Sequence, residues 1–410
     1  MTRLALAKTF VTGTVTLQGV SYSFTASGSG TATADRVPEA KKLAVAASNT
    51  AAVAAARTSI DKILLDNSAV LTDLEITSLI SNNLSTTVVV YKPIAISSVA
   101  TSPDGVNYTL KPNTTIGSNQ WLTVPNGISL KTGKYPFTNN GYFQVGEPAS
   151  FVSTALKDNP PAASVEYSTD ASNNGVCEVY PDCTSTVDSG VTFENYDGGY
   201  LSNYGTLTNN GTITNSQSTI SGIYTTIQNF GTFNNSTGAT INNGPSSYIE
   251  NVFSSNYTNL FNNYGTITNS SWFSTDGTFN NYTGATITNN GYESYVNNVG
   301  TFTNDGAITN SGSVSLLQNH EGGIMYNNSG GAITNSGPDS FVTNYYDSST
   351  FNNDGTITNS GDTSFLLNDS GAAFTNNGTI TNSGDSSSTT NEGTWTGDGT
   401  CGPTDTCTGT

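Results

Sequence analysis

The chain has 410 residues, only 10% of them Asp, Glu, Lys or Arg, and a net charge of −18. All twelve Lys and Arg lie at or before Lys157: residues 1–157 hold eight acids for a net +4, while residues 158–410 hold 22 acids and no Lys or Arg. A surface without cations cannot hold nucleic-acid phosphates, is repelled by anionic lipid headgroups, and offers no catalytic Lys or Arg.

Residues 1–35 alternate apolar and polar side chains, with Phe10, Val11, Val15, Leu17, Val20, Tyr22 and Phe24 among Thr, Ser and Gly. This predicts a β-hairpin or a pair of strands. Residues 36–85 predict helix. Pro38 suits a first helical turn, the Ala run with Ile60, Ile63 and Leu64 suits a long helix, and Leu71, Leu74, Glu75 and Leu79 a second. Residues 86–190 return to β in TTVVVY and QWLTVPNGISL, then turn irregular around Pro160, Pro161 and Pro181. These segments make a smaller mixed α/β N-terminal domain. GTATADRVPEA followed by an Ala-rich helix resembles an N-terminal module of giant-DNA-virus surface proteins, which implies a virion surface. No stretch approaches 18 apolar residues, so no transmembrane helix is expected. The start, MTRLALAKTFVTGTVTLQG, lacks the apolar core of a signal peptide.

Residues 191–397 repeat. Units such as GTLTN, GTITN, GTFNN and GAITN recur in sets of three, about 23 residues per set. One series carries Phe193, Ile213, Ile241, Ile267, Ile287, Ile308, Ile333, Ile357 and Ile380. A second carries Leu201, Ile227, Ile249, Phe273, Val296, Leu317, Val342 and Leu366. A third carries Leu207, Phe233, Phe261, Phe279, Phe302, Met325, Phe351, Phe374 and Trp395. Three short strands per coil, each with one inward apolar side chain, predict a parallel β-solenoid of about nine coils. Right-handed winding follows from the preference of parallel crossovers. The Asn after each strand is expected to stack into amide ladders at the corners. GTITN and FTNNG resemble strings of large β-helical adhesins and fibre proteins, a resemblance that implies architecture over residues 191–397 and extends to 115–145, where QWLTVPNGISLKTGKYPFTNNG is read as entry coils.

Cys177 and Cys183 stand just before the repeats, Cys401 and Cys407 just after, each pair as C-x5-C. Disulfides closing both ends are expected, making 398–410 a disulfide-closed cap. Thr389 takes the apolar position in the last coil, where the core ends.

Three outward features are candidate sites. The residue before the inward side chain of the second series is Tyr248, Trp272, Tyr295, Leu316, Phe341 and Phe365. This predicts an apolar stripe over six coils, the mark of an interaction site: another copy of the chain, sugar rings, or cover by the N-terminal part. The first series reads Thr-Ile-Thr in five coils. The pairs are Thr212 with Thr214, Thr266 with Thr268, Thr286 with Thr288, Thr356 with Thr358, and Thr379 with Thr381. That flat array resembles the threonine faces of ice-binding solenoids, although Thr is also simply a good strand former. Asp339, Asp362 and Asp385 are spaced 23 apart, so a stacked carboxylate column is expected, a candidate for Ca²⁺. No other metal or cofactor site is expected.

Catalysis is not expected. A lyase of this architecture needs a basic residue, and a glycosidase needs two carboxylates about 5–9.5 Å apart. Asp305, Asp354 and the Asp column supply carboxylates only at turns, and His320 beside Glu321 stands alone. The reading is a non-catalytic structural or adhesive fibre or stalk on a virion or cell surface, homo-oligomeric or fibrous through the aromatic stripe. It binds no nucleic acid and inserts in no membrane. The alternatives are ice binding through the Thr face, and glycan binding or degradation by a tailspike-like β-helix.

Overall fold

A computed structural model describes the chain apart from residues 1–2, 18–19, 35–36, 67–75, 77–78, 81–83, 147–161, 220–223, 347 and 403–410. The chain divides into two compact units, 1–95 with 117–122, and 96–116 with 123–410.

In the first unit, β1 (Arg3–Leu17) and β2 (Val20–Ala34) form an antiparallel hairpin that closes at Leu17↔Val20. β3 (Leu84–Ile94) pairs antiparallel with β1 from Leu4↔Tyr91 to Val11↔Leu84, so β1 is the middle strand. The helix α1 (Val37–Asp66) buries Ala44, Ser48, Ala52, Ala56 and Ile60 completely. Those residues are four apart and line one helical stripe, and their small side chains allow close approach. The second helix expected over Leu71–Ile80 falls largely outside the described residues.

The second unit is a parallel β-solenoid with three sheets. One sheet has twelve strands, from Thr114–Ile116 to Thr379–Asn382, and contains the Ile column. A second has fourteen, from Ala100–Thr101 to Thr394–Thr396, and contains the Phe column. The third, here the mixed sheet, runs in this unit from Tyr142–Val145 to Ser388–Asn391. Equivalent residues of successive coils are in register, as in Ile213↔Ile241↔Ile267↔Ile287. Most strands are four residues long and alternate half-exposed with buried positions, as the period-two geometry of a strand requires. Within the Phe column, ring centroids are 4.4 Å apart for Phe233–Phe261, 4.7 Å for Phe279–Phe302 and 4.4 Å for Phe374–Trp395.

Parallel pairing begins well before residue 191. Asn107–Leu110, Ser129–Lys131, Ser164–Tyr167 and Thr184–Val187 stack in order beneath Thr206–Asn209. The sequence marks the Ser129–Lys131 stretch as an entry coil, but the coils of 164–187 are hard to see because their inward residues are Val165 and Ser185 rather than Phe.

The Asn residues are not corner decorations. They point inward and are buried to within 1% of complete exclusion at nearly every coil. Along the Ile sheet, each Nδ2 donates to the Oδ1 of the next coil from Asn139 to Asn382 without a break, for example Asn215 to Asn243 at 2.8 Å and Asn289 to Asn310 at 2.8 Å. The same Nδ2 donates to a main-chain carbonyl of the next coil, as from Asn215 to Tyr248 at 3.0 Å. Each amide thus closes the chain's turn and ties two coils together. A buried polar group is tolerable only when its partners are in place, which is why the same residue recurs at every corner. A second ladder runs from Asn209 to Asn376.

The mixed-sheet ladder is interrupted, and its orphans show the direction of the chain of bonds. Asn251 donates to Thr275 Oγ1 at 3.0 Å, but the Thr275 hydroxyl donates to the Gly277 carbonyl and nothing reaches Asn298 Oδ1. At the first rung Asn203 Oδ1 has no donor before it, and at the last Asn391 Nδ2 has no acceptor after it. Two orphan acceptors and one orphan donor are what a one-way ladder leaves at its start, its break and its end.

The corner that leads into the mixed sheet is built on a Gly-x-x-Ser pattern that the sequence reading missed. Ser294, Ser315, Ser340 and Ser364 are buried, and each donates to the carbonyl of the Gly three residues earlier, at 2.9, 2.7, 2.6 and 2.8 Å. A Cβ on Gly337 would lie 2.1 Å from the Gly312 carbonyl oxygen, so the coils pack backbone on backbone there. The residue before each Ser is left-handed, including Val314 at φ 56°, a conformation costly for a β-branched side chain.

Candidate interaction surface

The six apolar residues of the stripe share one outward column of the mixed sheet. The register runs Tyr248↔Trp272↔Tyr295↔Leu316↔Phe341↔Phe365. Ring centroids are 6.3 Å apart for Tyr248–Trp272, 4.9 Å for Trp272–Tyr295 and 4.3 Å, edge to face, for Phe341–Phe365. All six are half-buried, since each side chain covers part of the next. Thr226 precedes the column and Ser388 follows it. Tyr224, half exposed, extends the row at 4.7 Å from Tyr248.

A second outward column lies two residues on. It reads Glu178, Ser202, Gln228, Glu250, Ser274, Asn297, Gln318, Thr343 and Leu367. Tyr200 donates to Gln228 Oε1, and Gln228 Nε2 donates to Glu250 at 2.6 Å. Burial pushes the Glu250 carboxyl up, partly offset by the Gln228 hydrogen bond, and the nearby Asp276 adds to the rise; burial also raises Asp276. Burial pushes the Tyr248 hydroxyl up to about 12, with Tyr224 and Glu250 adding to the effect.

Beside this column is an aromatic seam that sequence reasoning missed. Tyr204 stacks on Phe230 at 4.7 Å, and Tyr257 packs on Tyr204 at 5.3 Å. Tyr257 belongs to a loop between Asn251 and Leu260 that Asn259 holds closed through Ser254 and the Tyr257 carbonyl. The available signal was the lengthened coil between Phe233 and Phe261.

The expected Thr face is in register along the Ile sheet, but it is not continuous. Its first outward column reads Thr212, Thr240, Thr266, Thr286, Ala307, Ala332, Thr356 and Thr379. Its second reads Thr214, Asn242, Thr268, Thr288, Thr309, Thr334, Thr358 and Thr381. Two alanines break the first column and one Asn breaks the second, so the five Thr-Ile-Thr coils fall into separate groups. Thr214, Thr268, Thr288 and Thr358 are only half-buried neighbours of the inward Ile, and Thr381 is exposed in the terminal coil. Thr286 Oγ1 donates to Thr266 Oγ1 at 3.2 Å. The Phe sheet carries Thr outward as well, at Thr206, Thr232, Thr278, Thr301 and Thr350. Thr therefore marks the outside of strands on two sheets, as its strand propensity favours.

The three aspartates do not form one column. Aligned on Gly337, Gly361 and Gly384, Asp362 and Asp385 take the position of Pro338, whereas Asp339 sits one residue later with Thr363 and Ser386, all three left-handed. Equal spacing put them at one turn, but coils of unequal length shift the register. Asp339 Oδ1 accepts from Thr363 Oγ1, and its N–H donates to the Asp362 carbonyl. Among the described residues no three His, Cys, Asp or Glu side chains gather as a metal site would need.

Cys177 and Cys183 are free and buried, against the expected bridge. The strand period explains this. Cys177 points inward in the mixed sheet, in register with Phe143 and Leu201, while Cys183 lies past the next corner, its Sγ 3.7 Å from Asn126 Oδ1. Burial pushes the Cys177 thiol up to about 12. Cys401 is disulfide-bonded, and Cys407 lies outside the described residues. Thr389 is buried and accepts from Asn382 Nδ2 at 3.2 Å. His320 Nδ1 lies 3.4 Å from Glu321, against Tyr346.

No family model and no curated protein matches the chain. Among solved structures it is similar to one titled as a TibC-catalyzed hyper-glycosylated TibA fragment, at 17% identity, covering 72% of this chain and 100% of that one with a TM-score of 0.19. None of the comparisons supports the likeness of the N-terminal segment to giant-virus surface proteins.

Proposed function

We propose that the chain is a non-catalytic structural or adhesive rod at a cell surface, making its contacts through the outer face of the mixed sheet and assembling with copies of itself. The observation that supports this is the stripe. Six apolar side chains hold one outward column over six coils, and their register is kept although coil length varies. Apolar side chains aligned on an outer face mark contact surfaces. The end of the stripe is the most apolar part, where Phe341, Phe365 and Leu367 adjoin, and it is the segment we assign to contact between copies. The net −22 of residues 158–410 opposes association at low ionic strength and is screened at physiological salt. A photo-crosslinking residue at position 316 should then capture a second copy at physiological salt, and one at position 358 on the Ile sheet should not. Equal capture at both positions, or capture at neither, would remove the reading.

A further inference from the structure

The outer face of the mixed sheet changes chemistry along its length. Beside Tyr248, Trp272 and Tyr295 the next outward side chains are Glu250, Ser274 and Asn297, whereas beside Phe341 and Phe365 they are Thr343 and Leu367. The first segment is therefore a row of rings edged by hydrogen-bonding groups. A pyranose has the matching shape: C–H bonds on its faces and hydroxyls around its rim. The coil repeat of about 4.8 Å is comparable to the length of one sugar unit, so each coil offers one ring and one polar side chain per sugar. Residues 158–410 contain no Lys or Arg, so polymers bearing carboxylate, sulfate or phosphate are repelled.

We infer that the segment from Tyr224 to Tyr295 binds a linear polysaccharide of uncharged sugars, laid along the solenoid axis with one sugar per coil. This rests on the proposed role of the mixed sheet's outer face as a contact surface but uses residues separate from Leu316, Phe341 and Phe365.

The test titrates the full chain with chitohexaose, cellohexaose and mannohexaose, with a hyaluronan hexasaccharide as the acidic control, following tryptophan fluorescence and calorimetry. At least one uncharged hexamer should bind more tightly than about 1 mM, and hyaluronan should not. Trp272→Ala should weaken binding about tenfold, Trp272→Tyr should retain most of it, and Phe365→Ser should leave it unchanged. Far-UV circular dichroism and the melting temperature show whether each variant is folded. No binding by any uncharged hexamer, equal binding of hyaluronan, or binding indifferent to Trp272→Ala in a folded protein would overturn the inference. If Phe341→Ser with Phe365→Ser abolishes self-association while no sugar binds, the contact reading survives and this one fails; the opposite pattern separates them the other way.

Discussion

Thr275→Asn should stabilise the solenoid, because it completes the one internal break in the mixed-sheet amide ladder. In the native chain Asn298 Oδ1 is buried without a donor, and Asn251 Nδ2 must use a hydroxyl at 3.0 Å. Every other rung from Asn298 to Asn391 bonds amide to amide at 2.7–2.8 Å. An Asn at 275 has the room its equivalents have, accepts from Asn251, and donates to Asn298 Oδ1 and to the Thr301 carbonyl. Leaving a buried acceptor unmade costs about 1–3 kcal/mol, and a new internal hydrogen bond contributes about 1 kcal/mol net. Ordering the longer side chain offsets part of this, so a gain of about 1–2 kcal/mol is expected. Solenoids unfold as chains of coupled coils, so the assay should be local: amide hydrogen exchange at 272–304, alongside the melting temperature. Protection in that stretch should rise roughly tenfold for each 1.4 kcal/mol gained. Thr275→Val, the same shape without a hydrogen-bonding side chain, should lower it. If Thr275→Asn is neutral or destabilising while Thr275→Val is tolerated, the ladder is not what holds these coils together.

Asn310→Leu removes donations to the Ser315 and Phe341 carbonyls and to Asn335, and takes from the Asn289 amide its bond to the next rung; it should cost about 3–5 kcal/mol and be visible as a large drop in the melting temperature. Gly337→Ala drives a methyl against the Gly312 carbonyl and should cost about 1–3 kcal/mol, while Val314→Gly should gain up to about 1 kcal/mol by relieving the left-handed valine; both are read by chemical denaturation. Glu250 and Asp276 have carboxyls raised by burial, so the folded state holds their protons more tightly than the unfolded state. Stability from this source is complete below the ordinary carboxylate range and is lost as pH rises through the raised values. Melting curves across that window should slope downward with pH, and Glu250→Gln should flatten them.

The architecture was legible because the solenoid writes its geometry into composition. Ile213, Phe233 and their equivalents recur at the coil period, and no other arrangement places three columns in phase. What stayed hidden depends on register finer than spacing. Asp339 and Asp362 are 23 residues apart yet occupy different turn positions, because coil length is an average. Cys177 and Cys183 suggest a bridge by proximity in sequence, but strand alternation sends the first into the core and a corner carries the second to another sheet. The Thr-Ile-Thr string could be read from the sequence, but Ala307, Ala332 and Asn242 fall in the same columns and divide it. The buried orientation of the Asn ladder was half visible: stacking was evident from GTITN, while the simultaneous bond to the next coil's carbonyl required coordinates. The stripe at Tyr248–Phe365 was readable because an outward position has a fixed offset from its inward neighbour; the polar column beside it was not singled out, since Glu250, Ser274 and Asn297 share no residue type.

The apolar end of the mixed sheet should join copies of the chain. Sedimentation velocity over a concentration series at physiological salt tests it directly, comparing the native protein with the double variant Phe341→Ser, Phe365→Ser. The native chain should shift to faster-sedimenting species as concentration rises, and the double variant, with unchanged circular dichroism, should remain a monomer. A native chain that is monomeric at every concentration, or a variant that associates equally well, would contradict it.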